Sequence, residues 1–184
     1  MCIRDRPRLY PLESDYSFVS KFKNQDYYCI APSSVWFTKQ LPLEKWIELI
    51  NSFNDKEIIY LLGGPGDKVM CNEIISNSSN SNCVNLAGEL TFLQSAALMV
   101  DSKMNFVNDS GPLHICSAMN APVTAYFCST TPLFGFGPTR ENGKVIESEE
   151  KLSCKPCGLH GYKSCPEGHY KCGYTISVNK TLQI

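Results

Sequence analysis

The chain has 184 residues, of which 43% are hydrophobic and 19% are charged, a balance typical of one globular domain. Its net charge of −1 gives no basic field for binding nucleic acid or an anionic membrane, so we expect no nucleic-acid partner. No apolar run approaches the roughly 20 residues that a membrane-spanning helix needs. The N-terminus is also too charged and too short to be a signal peptide, so the expected compartment is the cytoplasm.

In chain order, residues 1–26 are polar and contain two prolines, which predicts a linker or a frayed end. Short apolar strands then alternate with amphipathic helices up to residue 150, and residues 151–184 form a cysteine-rich extension of the same domain. Strands are predicted at 27–31, 57–62, 83–86, 104–107 and 122–127. This alternation predicts an α/β fold in which crossover helices cover both faces of a parallel sheet.

The fourth predicted strand ends in the pattern Asn-Asp-Ser-Gly-Pro-Leu-His at residues 108–114. Gly111 permits a ligand to approach the backbone, and Pro112 suits the first helical position because its missing N–H is not needed there. The free N–H groups at the start of such a helix bind phosphate, and His114 would donate to the same group. An ordinary capped helix with a structural histidine explains the pattern equally well.

Two other strand exits carry candidate ligand groups, because ligands bind at the carboxyl ends of parallel strands. The glycine-rich turn at residues 63–67 ends in Asp67, which would cap the next helix or accept bonds from sugar hydroxyls. The loop at residues 32–42 carries hydroxyls and Lys39, which would pair with a diphosphate as a point charge. A plain turn and a solvated lysine are the alternatives.

Nine of the ten cysteines fall into two groups, and the tenth, Cys2, lies at the N-terminus. Five are scattered through apolar segments and are interpreted as small core residues, namely Cys29, Cys71, Cys83, Cys116 and Cys128. Four are clustered with the spacing C-x2-C-x7-C-x6-C, namely Cys154, Cys157, Cys165 and Cys172. Four thiolates suffice for a structural zinc site, but the second C-x2-C pair of a zinc ribbon is absent, so free or variably oxidised thiols are the favoured alternative.

Taken together, these segments resemble glycosyltransferase family 9, the ADP-heptose:lipopolysaccharide heptosyltransferases. The matching stretches lie at residues 30–42, 62–65, 85–88 and 108–114 and in the cysteine tail, and the resemblance covers residues 27–176. The family has the GT-B architecture of two Rossmann-like domains with the active site between them. The resemblance implies that this chain is the second domain, which holds the nucleotide sugar.

The resemblance also assigns roles to individual residues. Lys39 matches a lysine that contacts the phosphate and sugar of the donor, and Asp67 takes the place of a glutamate that faces the ribose. The turn at residues 109–114 matches the sugar- and diphosphate-binding turn. The predicted substrate-binding residues are Ser33, Thr38, Lys39, Gly64, Asp67, Asp109, Ser110, Gly111 and His114.

The resemblance implies transfer of a heptose from ADP-heptose to the lipopolysaccharide core, without a required cofactor. It also permits a peripheral position at the inner membrane. Family members are considerably longer, so we expect the catalytic base and the acceptor site on an N-terminal domain that this chain lacks. Alternatives are a GT-B enzyme with another nucleotide sugar and a metal-binding interaction module built on the cysteine tail.

Three positions depart from the family pattern. Leu41 replaces a tryptophan, Asp67 is one methylene shorter than glutamate, and residues 128–130 read Cys-Ser-Thr where the family commonly has Gly-Pro-Thr. These departures bear on which donor is bound.

Overall fold

The computed structural model describes residues 7–139 and 143–181, the last two of these by their backbone alone. Within these ranges the chain forms six strands and six α-helices. In chain order they are α1 (Glu13–Val19), β1 (Tyr27–Ala31), α2 (Leu43–Asn51), β2 (Ile58–Leu61), α3 (Lys68–Ser76), β3 (Cys83–Asn85), α4 (Phe92–Met99), β4 (Asn105–Asn108), α5 (Gly111–Met119), β5 (Val123–Phe127), β6 (Lys144–Glu147) and α6 (Lys171–Tyr174).

The six strands form one parallel sheet with the order β3-β2-β1-β4-β5-β6. This is the strand order of a doubly wound Rossmann-like sheet, so the predicted fold class is confirmed. The order reverses between β1 and β4, which are paired with Ala31 opposite Val107. A crevice opens where two such strands diverge, and the loops that follow β1 and β4 therefore flank it.

Both faces of the sheet are covered, as the continuous apolar strands predict. In β1, Tyr28 and Ile30 join one core cluster, whereas Tyr27, Cys29 and Ala31 join the other, because successive side chains point to opposite faces. The first cluster takes its helical residues from α2, α3 and the C-terminal tail. The second takes them from α1, α4 and α5.

The N-terminal segment differs from the prediction of a linker. Residues 13–19 form α1, which packs against α4, and Val19 is completely buried in the second core cluster. The first turn contains Glu13 and Asp15, which favour a helix start through the helix dipole. Leu12, not a Ser, Thr, Asp or Asn, occupies the N-cap, so the segment lacks the usual start signal.

The short apolar run at residues 144–146, which is not among the predicted strands, forms the edge strand β6. It extends the sheet by pairing in parallel with β5. Beyond β6, the cysteine-rich segment is irregular up to α6, as predicted. Its buried residues nevertheless join the first core cluster, namely Tyr170, Cys172, Ile176 and Val178.

In the part of the chain that the structure describes, no helix combines the length and the apolar character needed to cross a membrane.

Candidate functional site

Asn108, the last residue of β4, joins the two central strand exits. Its side-chain amide donates to the carbonyl of Pro32 at 2.7 Å, and its side-chain oxygen accepts the N–H of Leu41 at 2.8 Å. Asn108 is fully buried, so these bonds form away from solvent, where an unpaired amide would be costly. The loop after β1 is thereby fixed at both ends against the exit of β4.

Lys39 lies on the 3-10 turn within this loop, where its ammonium forms an ion pair with Asp109. The Lys39 Nζ atom is 2.7 Å from Asp109 Oδ2, and the two side chains are 16% and 6% exposed. Thr130, which follows β5, donates its hydroxyl to the same carboxylate oxygen at 2.7 Å. Three strand exits therefore converge on one largely buried pair of charges.

Helix α5 begins next to this pair. Gly111 is its first residue and Pro112 its second, one position later than predicted for the proline. Ser110 occupies the N-cap with extended backbone, but its side chain makes no capping hydrogen bond. The carboxylate of Asp109 is bonded to Lys39 and Thr130, so neither the Asp109 nor the Ser110 side chain caps the start of α5.

Two residues of α5 present surface for a ligand. A Cβ atom placed on Gly111 would meet no protein atom within 4 Å, so the backbone there is open to close approach. His114 is exposed in the first turn, with its ring 6.2 Å from the ring of Phe136. The positive end of the helix dipole and the nearby Lys39 ammonium favour an anion at this position.

A cleft of about 360 Å³ lies beside the start of α5. Its polar edge contains Ser33, Gly64, Asp67 and Gly111, all of which the sequence singled out. Its apolar wall comprises Leu62, Leu90, Phe92, Met99 and Ile115. A concave site with an apolar wall and a few polar groups is the usual form of a small-molecule site.

Asp67 differs from its predicted role as a helix cap. Its Oδ2 atom accepts the N–H of Gly64 at 2.7 Å and closes the turn after β2 rather than capping α3. Gly63 is required in this turn, because a Cβ there would lie 2.7 Å from the Asp67 carboxylate. Asp67 is only partly buried and still borders the cleft.

Thr38 does not line the cleft. Its side chain is 1% exposed, and its hydroxyl oxygen accepts the N–H of Tyr162 at 2.7 Å and the hydroxyl of Ser129 at 3.1 Å. The hydroxyl of this predicted binding residue is therefore hydrogen-bonded to two groups of the protein itself.

The scattered cysteines have the predicted core character, since four of the five are buried and Cys83 is partly buried. In the tail, Cys154, Cys157 and Cys165 are half-buried and Cys172 is buried, and all four are free thiols. Burial raises the pKa of Cys157, and the nearby charges of Cys154 and Cys165 raise it further. The Sγ atom of Cys154 is 3.9 Å from Nε2 of His169.

Among residues 7–139 and 143–181, no three Cys, His, Asp or Glu side chains are arranged to hold a metal ion. The zinc site therefore remains a prediction from spacing.

Sequence reasoning missed two residues of this site, Asn108 and Thr130, as individual contributors. Both are small polar residues that end or follow a buried strand, and each is at most 1% exposed. A polar residue in an apolar run signals a buried hydrogen bond, but its partners come from distant segments. Thr130 is also the one residue of Cys128-Ser129-Thr130 that the family's Gly-Pro-Thr pattern retains.

A Rossmann-like sheet with a cleft at its switch point, and with a helix start and a lysine beside the cleft, is an architecture that is typical of nucleotide-binding domains. Residues 10–170 match the sequence model of glycosyltransferase family 9 (heptosyltransferase). The chain therefore belongs to glycosyltransferase family 9, and the resemblance inferred from its motifs is confirmed.

Individual relatives agree with this assignment. The chain is 28% identical over 145 residues to lipooligosaccharide heptosyltransferase 2 of Campylobacter jejuni, covering 73% of this chain and 42% of that protein. It superposes on Escherichia coli ADP-heptose lipopolysaccharide heptosyltransferase II with a TM-score of 0.76 and 24% identity, over 96% of this chain and 51% of that one.

The structure of E. coli heptosyltransferase WaaC with ADP is also similar, with a TM-score of 0.60 and 20% identity, covering 65% of this chain and 37% of that one. The chain thus spans about half or less of the length of the relatives that it matches.

Proposed function

We propose that this chain is the donor-binding domain of a transferase that moves a heptose from ADP-heptose to the lipopolysaccharide core. The observation that carries the proposal is the convergence of Lys39, Asp109 and the start of α5 next to the cleft. Family membership supplies the class of reaction, and the arrangement of these groups suits a nucleotide diphosphate.

In this proposal, the diphosphate binds at the start of α5. The Lys39 ammonium, the N–H groups of the first helical turn and the exposed His114 all favour negative charge there. During transfer, negative charge develops on the leaving diphosphate, so the same groups stabilise it more strongly in the transition state. Asp109 orients the ammonium and faces the sugar hydroxyls.

The cleft receives the nucleoside. Its apolar wall suits the face of a base, and Asp67 and Ser33 at its edge suit the ribose hydroxyls. That one structural neighbour was solved with ADP supports adenine as the base. A UDP- or GDP-sugar is the competing donor, and the apolar wall by itself does not distinguish the bases.

The general base is proposed to lie outside this chain. Near the cleft, the carboxylates of Asp67 and Asp109 are occupied by Gly64, Lys39 and Thr130. We therefore assign deprotonation of the acceptor hydroxyl to a carboxylate of a second domain, which would also hold the lipopolysaccharide core. The chain itself would work on the donor side of the reaction.

No metal cofactor is required in this scheme, because Lys39 and the start of α5 offset the charge of the diphosphate. A structural zinc ion at the tail cysteines is a separate proposal that rests on their spacing. Elemental analysis of the natively purified chain, compared with a Cys154→Ser/Cys157→Ser variant, tests it. One zinc per wild-type chain that is lost in the variant would support a zinc site, and zinc-free wild type would leave the free-thiol alternative.

Calorimetric titration tests the donor site. We expect ADP to bind more tightly than UDP or GDP, and ADP-heptose to bind more tightly than ADP. Both His114→Ala and Lys39→Ala should weaken ADP binding by roughly 1–3 kcal/mol, as for a lost charge-assisted hydrogen bond. Lys68→Ala is a suitable control, because Lys68 is exposed, is paired with Glu89 and does not line the cleft.

The outcomes separate the alternatives. Tighter binding of UDP or GDP would reassign the donor while keeping the site. ADP binding that is insensitive to both substitutions would place the nucleotide elsewhere. Absence of any nucleotide binding by the folded chain would contradict the proposal that this domain binds the donor by itself.

A further inference from the structure

The cysteine-rich tail lies directly against the turn that carries Lys39. The backbone N–H of Thr38 donates to the carbonyl of Tyr162 at 3.1 Å, and the N–H of Tyr162 donates to the Thr38 hydroxyl at 2.7 Å. This reciprocal pair joins residues more than a hundred positions apart. Thr38 is buried by the contact, whereas Lys39, its neighbour, extends towards Asp109.

Gly161 makes this close packing feasible. Its φ of +78° lies in the left-handed region, which L side chains rarely adopt. A Cβ atom at this position would lie 2.9 Å from the Thr38 hydroxyl and 3.0 Å from Cγ of Lys39. The tail therefore touches the aliphatic stem of the lysine itself, and only glycine leaves room for it.

The tail is fixed in turn to the exit of β5. The N–H of Cys157 donates to the carbonyl of Ser129 at 2.7 Å, and the Lys155 ammonium donates to the carbonyl of Phe127 at 2.7 Å. Ser129 closes the arrangement, since its N–H donates to the Thr38 carbonyl at 3.2 Å and its hydroxyl to the Thr38 hydroxyl.

A second anchor holds the turn from its other side. The hydroxyl of Tyr170, a residue that is 5% exposed, donates to the carbonyls of Phe37 and Gln40, which flank Thr38 and Lys39. The turn itself has only three residues, too few for a 3-10 helix to be stable by itself. The conformation of this turn is therefore stabilised by its contacts with Tyr162 and Tyr170.

We infer that residues 155–162, here called the tail clamp, position the Lys39 ammonium for the donor diphosphate. Thr38 and Gly161 are positioning residues that act through Lys39 and do not touch the donor. A lysine side chain loses considerable rotamer freedom when it is fixed, so holding its stem before the donor arrives lowers that cost at binding. The inference rests on the proposed function only for the identity of the anion.

A measurement without ligand tests the positioning directly. Acetylation of lysines, followed by mass spectrometry, should label Lys39 more slowly than the exposed Lys68 in the wild-type chain. Thr38→Val keeps the shape but removes the hydroxyl, which accepts hydrogen bonds from Tyr162 and Ser129. It should raise Lys39 labelling at least roughly fivefold, the effect expected for the loss of a single buried hydrogen bond. Thr38→Ser, which retains the hydroxyl, should rescue the wild-type rate.

A glycine pair provides a matched second comparison. Gly161→Ala adds a methyl group against Thr38 and Lys39, whereas Gly168→Ala adds one where no protein atom lies within 4 Å. Both glycines have positive φ, +78° and +70°, so the backbone strain is similar. Faster labelling of Lys39 in Gly161→Ala but not in Gly168→Ala, with the two chains equally folded, is the expected result.

ADP titration completes the test. Thr38→Val should weaken ADP binding roughly fivefold in the wild-type background and have no effect in the Lys39→Ala background, because the two changes act through one group. An equal loss in both backgrounds, or unchanged Lys39 labelling in Thr38→Val and Gly161→Ala, would overturn the inference. If Lys39 labelling rises as expected in Thr38→Val and Gly161→Ala but the wild-type chain binds no ADP, the tail clamp stands and the proposal that this chain binds ADP by itself fails.

Discussion

The site depends on a few side chains whose partners come from distant parts of the chain. Lys39, Asp109 and Thr130 follow three different strands. The Lys39 ammonium and the Thr130 hydroxyl nevertheless each lie 2.7 Å from the same Asp109 carboxylate oxygen. A largely buried ion pair is stable only when hydrogen bonds satisfy the remaining groups, which is the role of Thr130. Open space next to a residue is also evidence for a ligand-binding position, as it is at Gly111.

Gly111 has open space on the side where a Cβ atom would lie. Gly111→Ala should leave folding intact, since its Cβ would meet no protein atom within 4 Å, but the methyl group should obstruct a diphosphate at the helix start. We expect at least a tenfold loss of ADP affinity, or about 1.4 kcal/mol, with an unchanged unfolding midpoint. Gly66→Ala is the matched control, because its Cβ is equally unobstructed but lies outside the cleft. Equal affinity in both variants would argue against a ligand at the start of α5.

At the scale of elements, the cleft depends on where helices begin. Helix α4 supplies Phe92, Ser95 and Met99 to the cleft wall and starts with a capping box. The Thr91 hydroxyl accepts the N–H of Gln94, and the Gln94 side chain accepts the N–H of Thr91. Two N–H groups at the helix start are thereby satisfied.

Thr91→Ala removes half of this capping box and should lower the free energy of unfolding by about 1 kcal/mol. Urea denaturation followed by circular dichroism measures the change. Thr91→Ser keeps the capping oxygen and should stay close to wild type. A loss of the same size in both variants would show that the methyl group, not the cap, stabilises the helix.

Helix α1 is an element that the sequence did not predict, and its packing leads to a testable expectation about stability. Val19 is completely buried against the second core cluster, so Val19→Ala should lower the free energy of unfolding by about 2 kcal/mol. Val69→Ala, on the exposed surface of α3, is the control and should change stability by less than about 0.5 kcal/mol. Similar values for both would mean that α1 is not part of the folding unit.

The molecule as a whole contains many buried thiols, which couples its stability to alkaline pH. Burial raises the pKa of Cys128 from 9.0 to about 12, and burial together with Asp67 raises that of Cys71 to about 12. Below pH 9 these thiols are neutral in both the folded and the unfolded chain. Above pH 9 only the unfolded chain ionises them, so the stability they confer is lost as pH rises towards 12.

We therefore expect the free energy of unfolding, measured with urea under reducing conditions, to fall as the pH rises above about 9. Each fully buried thiol contributes a limiting slope of about 1.4 kcal/mol per pH unit. Cys128→Ala should show a shallower decline than wild type, whatever its stability at pH 8. A decline of the same slope would assign the pH dependence to other groups.

The alternation of strands and helices, the α/β class and the family could all be predicted from the amino-acid sequence. These depend on local apolar periodicity and on turn residues, which are written in consecutive positions, as in β1 and in the pattern at residues 108–114. The strand exits that the sequence singled out are also those that border the cleft and carry the Lys39–Asp109 pair. The sequence did not predict α1, which lacks a capping residue, or β6, which is short and gains its stability only by pairing with β5.

Which of the predicted site residues contact one another depends on the tertiary structure. In the folded chain, Lys39 forms an ion pair with Asp109, the Asp67 carboxylate accepts the N–H of Gly64, and Thr38 is buried against the tail. The contacts of Lys39 and Thr38 join segments that are far apart in the chain, and the contact of Asp67 depends on the backbone geometry of its turn. Spacing in sequence carries little information about them, because the sheet register and the packing of the tail bring them together.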